Sequence, residues 1–157
     1  WHLIGPPQSN KTRVVAESFD WVHSVDRLKI AQRLSEQRPA HLPPLQLCLQ
    51  VNVSGEATKS GCTLEEAPVL AAKIATLPNI RLRGLMCIPE PAPDFASACA
   101  VFGRARALFD ALNAHGLALD TLSMGMSDDL EAAVASGSTL VRVGSAIFGA
   151  RHYPAPA

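Results

Sequence analysis

The chain has 157 residues, 48% of them hydrophobic, with 14 basic and 14 acidic side chains. That is enough apolar content for one compact domain, and a net charge near zero gives no electrostatic drive toward nucleic acid or an anionic membrane. No apolar run approaches the roughly 20 residues that span a bilayer, and the opening "WHLIGPPQSNK" has neither the basic start nor the apolar stretch of a signal peptide.

The chain opens on an apolar run without a Met, so the expectation is the later part of a longer protein. Cys48, Cys62, Cys87 and Cys99 form no CxxC pair and have no His at ligand spacing. They read as reduced thiols of a cytoplasmic protein, not as a zinc site.

In chain order, Trp1 to Gly5 reads as a first strand. Asn10 to Ser18 reads as a helix with Val14, Val15 and Phe19 as its apolar members. Trp21 to Val25 is a strand, with Asp26 as N-cap of a helix over 27–37 that turns Leu28, Ala31 and Leu34 to one side. Leu45 to Val53 is a long strand. After the loop "SGEATKSGC", Thr63 and Glu66 have capping-box spacing, and Pro68 implies a late start or a kink in the next helix. Leu70, Ile74 and Leu77 are its expected buried stripe.

Ile80 to Ile88 is a further strand, and Asp94 caps the longest helix. There Phe95, Ala98, Phe102, Ala105, Phe109 and Leu112 recur at spacings of three and four. Leu119 to Met124 is a strand, Ser127 to Ser136 a short helix stopped by Gly137, and Leu140 to Phe148 the last strand. Six strands alternating with five helices argue for a parallel sheet covered by helices, either an open doubly wound sheet or a (β/α) barrel. No GxGxxG follows the first strand, and polar residues at the strand ends favour the barrel. Six units are too few for eight strands.

The end of the chain carries the chemistry. In "GMSDD", Ser127 is placed to cap the following helix, whose free N–H groups can bind an oxyanion; an ordinary cap serine is the alternative. Asp128 and Asp129 suit the helix dipole but repel an anion unless they face away. In "VRVGSAIFG", Gly144 and Ser145 offer close backbone N–H groups and a hydroxyl. Arg142 lies inside an apolar strand, where a guanidinium needs an acceptor, either a carboxylate or a ligand.

Four blocks, "WHLIGPPQSNK", "QVNVSGEATKSG", "IRLRGLMCIPEP" and "LSMGMSDDLEAAVASGSTLVRVGSAIFGAR", resemble in order the pyridoxal-phosphate homeostasis protein family and cover nearly the whole chain. That family is similar to the N-terminal barrel of alanine racemases and ornithine decarboxylases, fold type III of the pyridoxal-phosphate proteins. The resemblance implies a TIM-type (β/α) barrel with about six of its eight strand-helix units in residues 1–157. It implies a single-domain, cytosolic, monomeric protein that binds pyridoxal 5′-phosphate, buffers it and delivers it to apo-enzymes, without established turnover. It places the cofactor phosphate on Ser127, Gly144 and Ser145, and Arg142 against the pyridine nitrogen. His2 and Met86 lie on matching strands as further pocket residues.

The family's Schiff-base lysine, near the end of its first strand before "SKTKP"-type residues, has no counterpart here. Lys11 belongs to "QSNK" and is not its equivalent. Lys59 is the nearest amine, or else a solvated loop residue. The expected barrel, short of two strands, would expose two long apolar edges and self-associate or melt easily. The alternatives are a racemase-like enzyme, for which Tyr153 is the only tyrosine to serve as second base, and an aldolase-like barrel, which needs a strand lysine that no strand here contains.

Overall fold

In a computed structural model, residues 1–57 and 60–151 are described. The strands are β1 (His2–Leu3), β2 (Trp21–Val25), β3 (Leu45–Gln50), β4 (Ile80–Met86), β5 (Thr121–Met126) and β6 (Leu140–Arg142). The helices are α1 (Thr12–Ser18), α2 (Leu28–Gln37), α3 (Ala67–Ala75), α4 (Phe95–Ala114), α5 (Leu130–Ala135) and α6 (Ser145–Phe148), with a 3-10 turn at Ser9–Lys11.

All strands are parallel, and each pairs with its neighbours in sequence, in the order β1-β2-β3-β4-β5-β6. A doubly wound sheet needs a reversal of strand order, so the barrel architecture is the one adopted. The sheet is strongly curled. His23 of β2 reaches Ser123 of β5 at 2.7 Å. Three strand spacings would separate these positions by about 14 Å in a flat sheet. Six parallel strands thus wrap a half-barrel, helices outside.

Alternation along the strands sorts the two faces. Leu45, Leu47 and Leu49 of β3 and Leu122 and Met124 of β5 face the helices and join the main core. Gln46, Cys48 and Gln50, with Thr121 and Ser123, take the opposite, concave face. Phe102 of α4 is fully buried in that core, which is worth about 1.5–3 kcal/mol. Gly84 of β4 leaves no room for a side chain against β5: a Cβ there would sit 1.6 Å from the Thr121 carbonyl oxygen.

Several local expectations hold. Asp94 accepts the Ser97 N–H at 2.7 Å and caps α4. Thr63 and Glu66 form a reciprocal capping box, each accepting the other's N–H at 3.1 Å. Pro68 is tolerated because it lies in the first turn of α3, which starts late, at Ala67.

Others are corrected. Asp26 does not cap α2; its carboxylate accepts the Gly61 N–H at 3.3 Å, and Arg27 is the boundary residue without a side-chain cap. Val14 is exposed, and Thr12, Val15 and Ala16 are the buried side of α1. In α3 the inner positions are Ala67, Ala71 and Ile74, with Leu70 and Leu77 only half-buried. Phe95 is exposed at the start of α4.

The final strand stops at Arg142, and Ser145–Phe148 turns into α6, because the chain leaves extended geometry at Gly144 (φ −122°, ψ −79°). The edge strands are short, two residues in β1 and three in β6, and they carry His2 and Arg142. They are not the long apolar edges expected, and short polar edges are poor templates for edge pairing.

Candidate functional site

The C-terminal ends of β4, β5 and β6 open into one cavity of about 750 Å³. Ser127, Arg142, Gly144 and Ser145 all line it, with Cys87, Met126 and the loop after β4. This is the end at which barrel proteins hold ligands, since the loops after each strand converge there.

Ser127 does not cap α5. That helix begins later, at Leu130, and its boundary residue is Asp129. The Ser127 hydroxyl instead crosses to the loop after β6 and accepts the N–H groups of Gly144 at 3.3 Å and Ala146 at 3.1 Å. Gly125 makes this possible. It has a φ of 100°, and a Cβ there would lie 2.6 Å from the Ala133 methyl, so the end of β5 can bend only with glycine in place. Two backbone donors and a hydroxyl thus converge at one point on the cavity rim. Ala146 supplies a donor that the sequence reading did not name.

The acids of "SDD" are disposed of locally. Asp129 accepts the Met126 N–H at 2.7 Å and Asp128 is exposed. The Asp94 carboxylate, on the opposite wall, is held by its cap bond, which keeps it below the usual carboxylate range.

Arg142 makes no hydrogen bond to a carboxylate, the first of the two acceptors expected for it. Nη1 donates to the Ser123 hydroxyl at 2.6 Å and Nη2 to the Cys87 carbonyl at 3.0 Å. Its Nε–H is buried without a partner among the described residues. Burial pulls the guanidinium pKa down, opposed by Asp129 at longer range. A cation at the cavity wall, with two of its five N–H groups committed to Ser123 and Cys87, is suited to an anionic or electron-rich ligand.

Beneath the cavity the concave face is polar. His23 is fully buried; its Nδ1 lies 2.7 Å from the Ser123 hydroxyl and its Nε2 2.9 Å from Nδ1 of His2. His2 stacks on Trp21 with ring centroids 5.1 Å apart, and Arg83 covers Trp21 at 4.7 Å while pairing with Asp120. Burial, then the charges of His2 and Arg142, hold His23 down to about 4. Desolvation likewise pushes the Cys48, Cys62 and Cys87 thiols up to about 12, consistent with unreactive thiols.

The predicted site residues therefore fall into two groups. Ser127, Arg142, Gly144 and Ser145 share the cavity. Met86 is buried beside Ser123 in the β4–β5 register, and His2 lies on the exposed edge strand, connected to Arg142 only through His23 and Ser123. His23 and Ser123 were missed. Their signal is a polar residue at the inward phase of an otherwise apolar strand, in "WVHSV" and "TLSMGM". Lys59 and Tyr153 lie outside the described residues. Among the described residues no group of three or more His, Cys, Asp or Glu could hold a metal, and no helix is long and apolar enough to cross a membrane.

Comparison with known proteins bears on the fold and the family. The alanine racemase, N-terminal domain family matches residues 1–152. The pyridoxal phosphate homeostasis protein of Pseudomonas aeruginosa is 68% identical over 157 residues, covering 100% of this chain and 67% of that protein. The Escherichia coli K12 protein of the same name is 56% identical over 153 residues, covering 98% and 65%. The chain thus spans about two thirds of the length of these relatives.

Among solved structures, PipY of Synechococcus elongatus, determined with PLP bound, is 38% identical with a TM-score of 0.85, covering 95% of this chain and 70% of that one. An alanine racemase of Clostridium difficile, 16% identical with a TM-score of 0.77 over 96% of this chain and 41% of its own, shares the fold. The curled parallel sheet, the rim at Ser127 and Gly144 and these likenesses together lead to one assignment: the chain belongs to the alanine racemase N-terminal domain family, among the pyridoxal phosphate homeostasis proteins.

Proposed function

We propose that this chain binds pyridoxal 5′-phosphate at the cavity above β4–β6 and serves in cytoplasmic pyridoxal phosphate homeostasis, buffering the cofactor or delivering it to apo-enzymes. The observation that carries the reading is the convergence of the Gly144 and Ala146 N–H groups on the Ser127 hydroxyl, in the cavity that Arg142 also lines. A phosphate at the rim takes over as acceptor for the two N–H groups, and the Ser127 O–H turns to donate to it. Ser145 adds a hydroxyl from the start of α6.

Bound pyridoxal phosphate supplies an electron sink whose strength depends on protonation of its pyridine nitrogen. Arg142 would face that nitrogen. A guanidinium donates and does not give up its proton, so it leaves the nitrogen unprotonated and damps carbanion chemistry. The chain is accordingly read as a binding protein and not as an enzyme. Met86 and His2 stand outside the cavity lining: Met86 is buried beside Ser123, and His2 reaches Arg142 through His23 and Ser123.

Equilibrium dialysis against pyridoxal 5′-phosphate and against unphosphorylated pyridoxal tests this. Retention of the phosphate form, with pyridoxal at least about tenfold weaker, is expected from charge-assisted bonds worth about 1.5–3 kcal/mol. Equal retention of both compounds would sink the reading. Borohydride treatment of the loaded chain is expected to leave no stoichiometric adduct; an adduct on Lys59 would give that lysine the covalent role.

A further inference from the structure

We propose that His23 and His2 are positioning residues for Arg142: with Ser123 they form a one-directional chain of hydrogen bonds that holds the guanidinium at the cavity wall, and its exposed end at His2 couples Arg142 to solvent protons. The direction follows from chemistry at one end. Arg142 can only donate, and Nη1 gives its proton to the Ser123 hydroxyl oxygen at 2.6 Å. Ser123 is fully buried, and its hydroxyl has just one other neighbour among the described residues, Nδ1 of His23 at 2.7 Å. The serine proton therefore goes to Nδ1, which must be unprotonated. Neutral His23 then carries its proton on Nε2 and donates it to Nδ1 of His2 at 2.9 Å. His2 is left protonated on Nε2 alone.

Burial and the surrounding charges together favour the neutral form of both imidazoles. At His2 the charges are the Asp20 carboxylate and Arg83 beyond Trp21. At His23 the charges acting on it are His2 and Arg142, and none of its hydrogen-bond partners is a carboxylate. Around Arg142 the Cys48 and Cys87 thiols stay neutral, and Asp129 is the acid acting on it. A proton on His2 Nδ1 turns an acceptor into a donor facing the His23 N–H. The pair must then separate, and the order imposed on Ser123 and Arg142 is lost. Burial, the largest influence, lowers the pKa of His2 against the pull of Asp20, so the chain is intact at neutral pH and opens from the His2 end on acidification.

The test starts on the ligand-free chain, by long-range 1H–15N NMR of the imidazoles. His23 is expected as the Nε2–H tautomer and uncharged down to about pH 5. His2→Phe keeps a ring on Trp21 and removes the acceptor at an exposed position, so the fold survives. It is expected to mix the His23 tautomers and to speed exchange of the Arg142 guanidinium protons about three- to tenfold. A His23 protonated on Nδ1, a titration near its ordinary value, or an unchanged His23 in His2→Phe overturns the proposal.

A second arm rests on the pyridoxal phosphate reading: His2→Phe should weaken retention of that compound about three- to tenfold. If the tautomer is as stated but no pyridoxal phosphate is retained, the relay stands and only the cofactor reading fails. If the cofactor is retained but the tautomer is wrong, the relay alone fails.

Discussion

The two faces of the curled sheet are built from the same strands on opposite principles. On the outer face, Leu45, Leu47, Leu49 and Leu122 meet α1–α5 and need only volume and shape. On the inner face, His23, Ser123, Gln46, Arg83 and Arg142 are held by directional bonds to named partners, with the Arg142 Nε–H left over. The outer face is the chain's source of stability and tolerates substitutions that conserve volume. The inner face contributes less net free energy, and there each buried donor that loses its acceptor costs about 1–3 kcal/mol.

The contrast can be broken at several points. The largest effect is expected on the outer face, where Leu47→Ala empties a fully buried position and should cost about 2–5 kcal/mol in urea unfolding. A loss under about 1 kcal/mol would mean that the outer face is not the main core. At the seam between faces, Gly84→Ala forces a methyl into the Thr121 carbonyl and should cost about 1–3 kcal/mol or fail to fold. Gly103→Ala, with open space around its Cβ position, is the matched control and should not destabilise α4.

The inner face should instead show itself in pH. His23 is held down to about 4 when folded and titrates near its usual 6.5 when unfolded. The unfolded state binds the extra proton between those values, so stability is full above about pH 6.5 and falls as pH drops toward 4. Melting temperature against pH should show that slope in the wild type and a flatter one in His23→Leu, measured relative to each protein's value at pH 7.5. Equal slopes would remove His23 from the inner network. The smallest effect is at the rim: Ser127→Ala should change stability by about 1 kcal/mol or less yet weaken pyridoxal phosphate retention about three- to tenfold. Unchanged retention would separate the Ser127 contact from ligand binding.

Much of this was legible in the sequence, for reasons that differ by element. The spacing of Phe102, Ala105 and Leu112 announced α4, since a helix returns to the same side every three to four residues. Asp94 and the Thr63–Glu66 pair marked helix starts because those bonds close within four residues. Gly144, Ser145, Ser127 and Arg142 stood out because a buried guanidinium and a tight glycine loop are costly without a purpose. What misled was contact with distant partners: Asp26 turned to Gly61, Ser127 turned to Gly144 and Ala146, and Val14 faced water. Each choice depends on which chain segment arrives nearby, and local spacing carries no record of that.

The sequence by itself determined the alternation of six strands with helices, the apolar phase of each strand and the residues at the cavity rim. These depend on period, propensity and the chemistry of single residues. Only the tertiary structure decided that the strands lie in sequential order and curl. That curl brings β2 against β5 and sets His23 on Ser123 across 100 positions of chain. The partner of Arg142 was decided there too. A hydrogen bond is fixed over about 3 Å of space, and closing such distances between remote strands is the work of the whole fold.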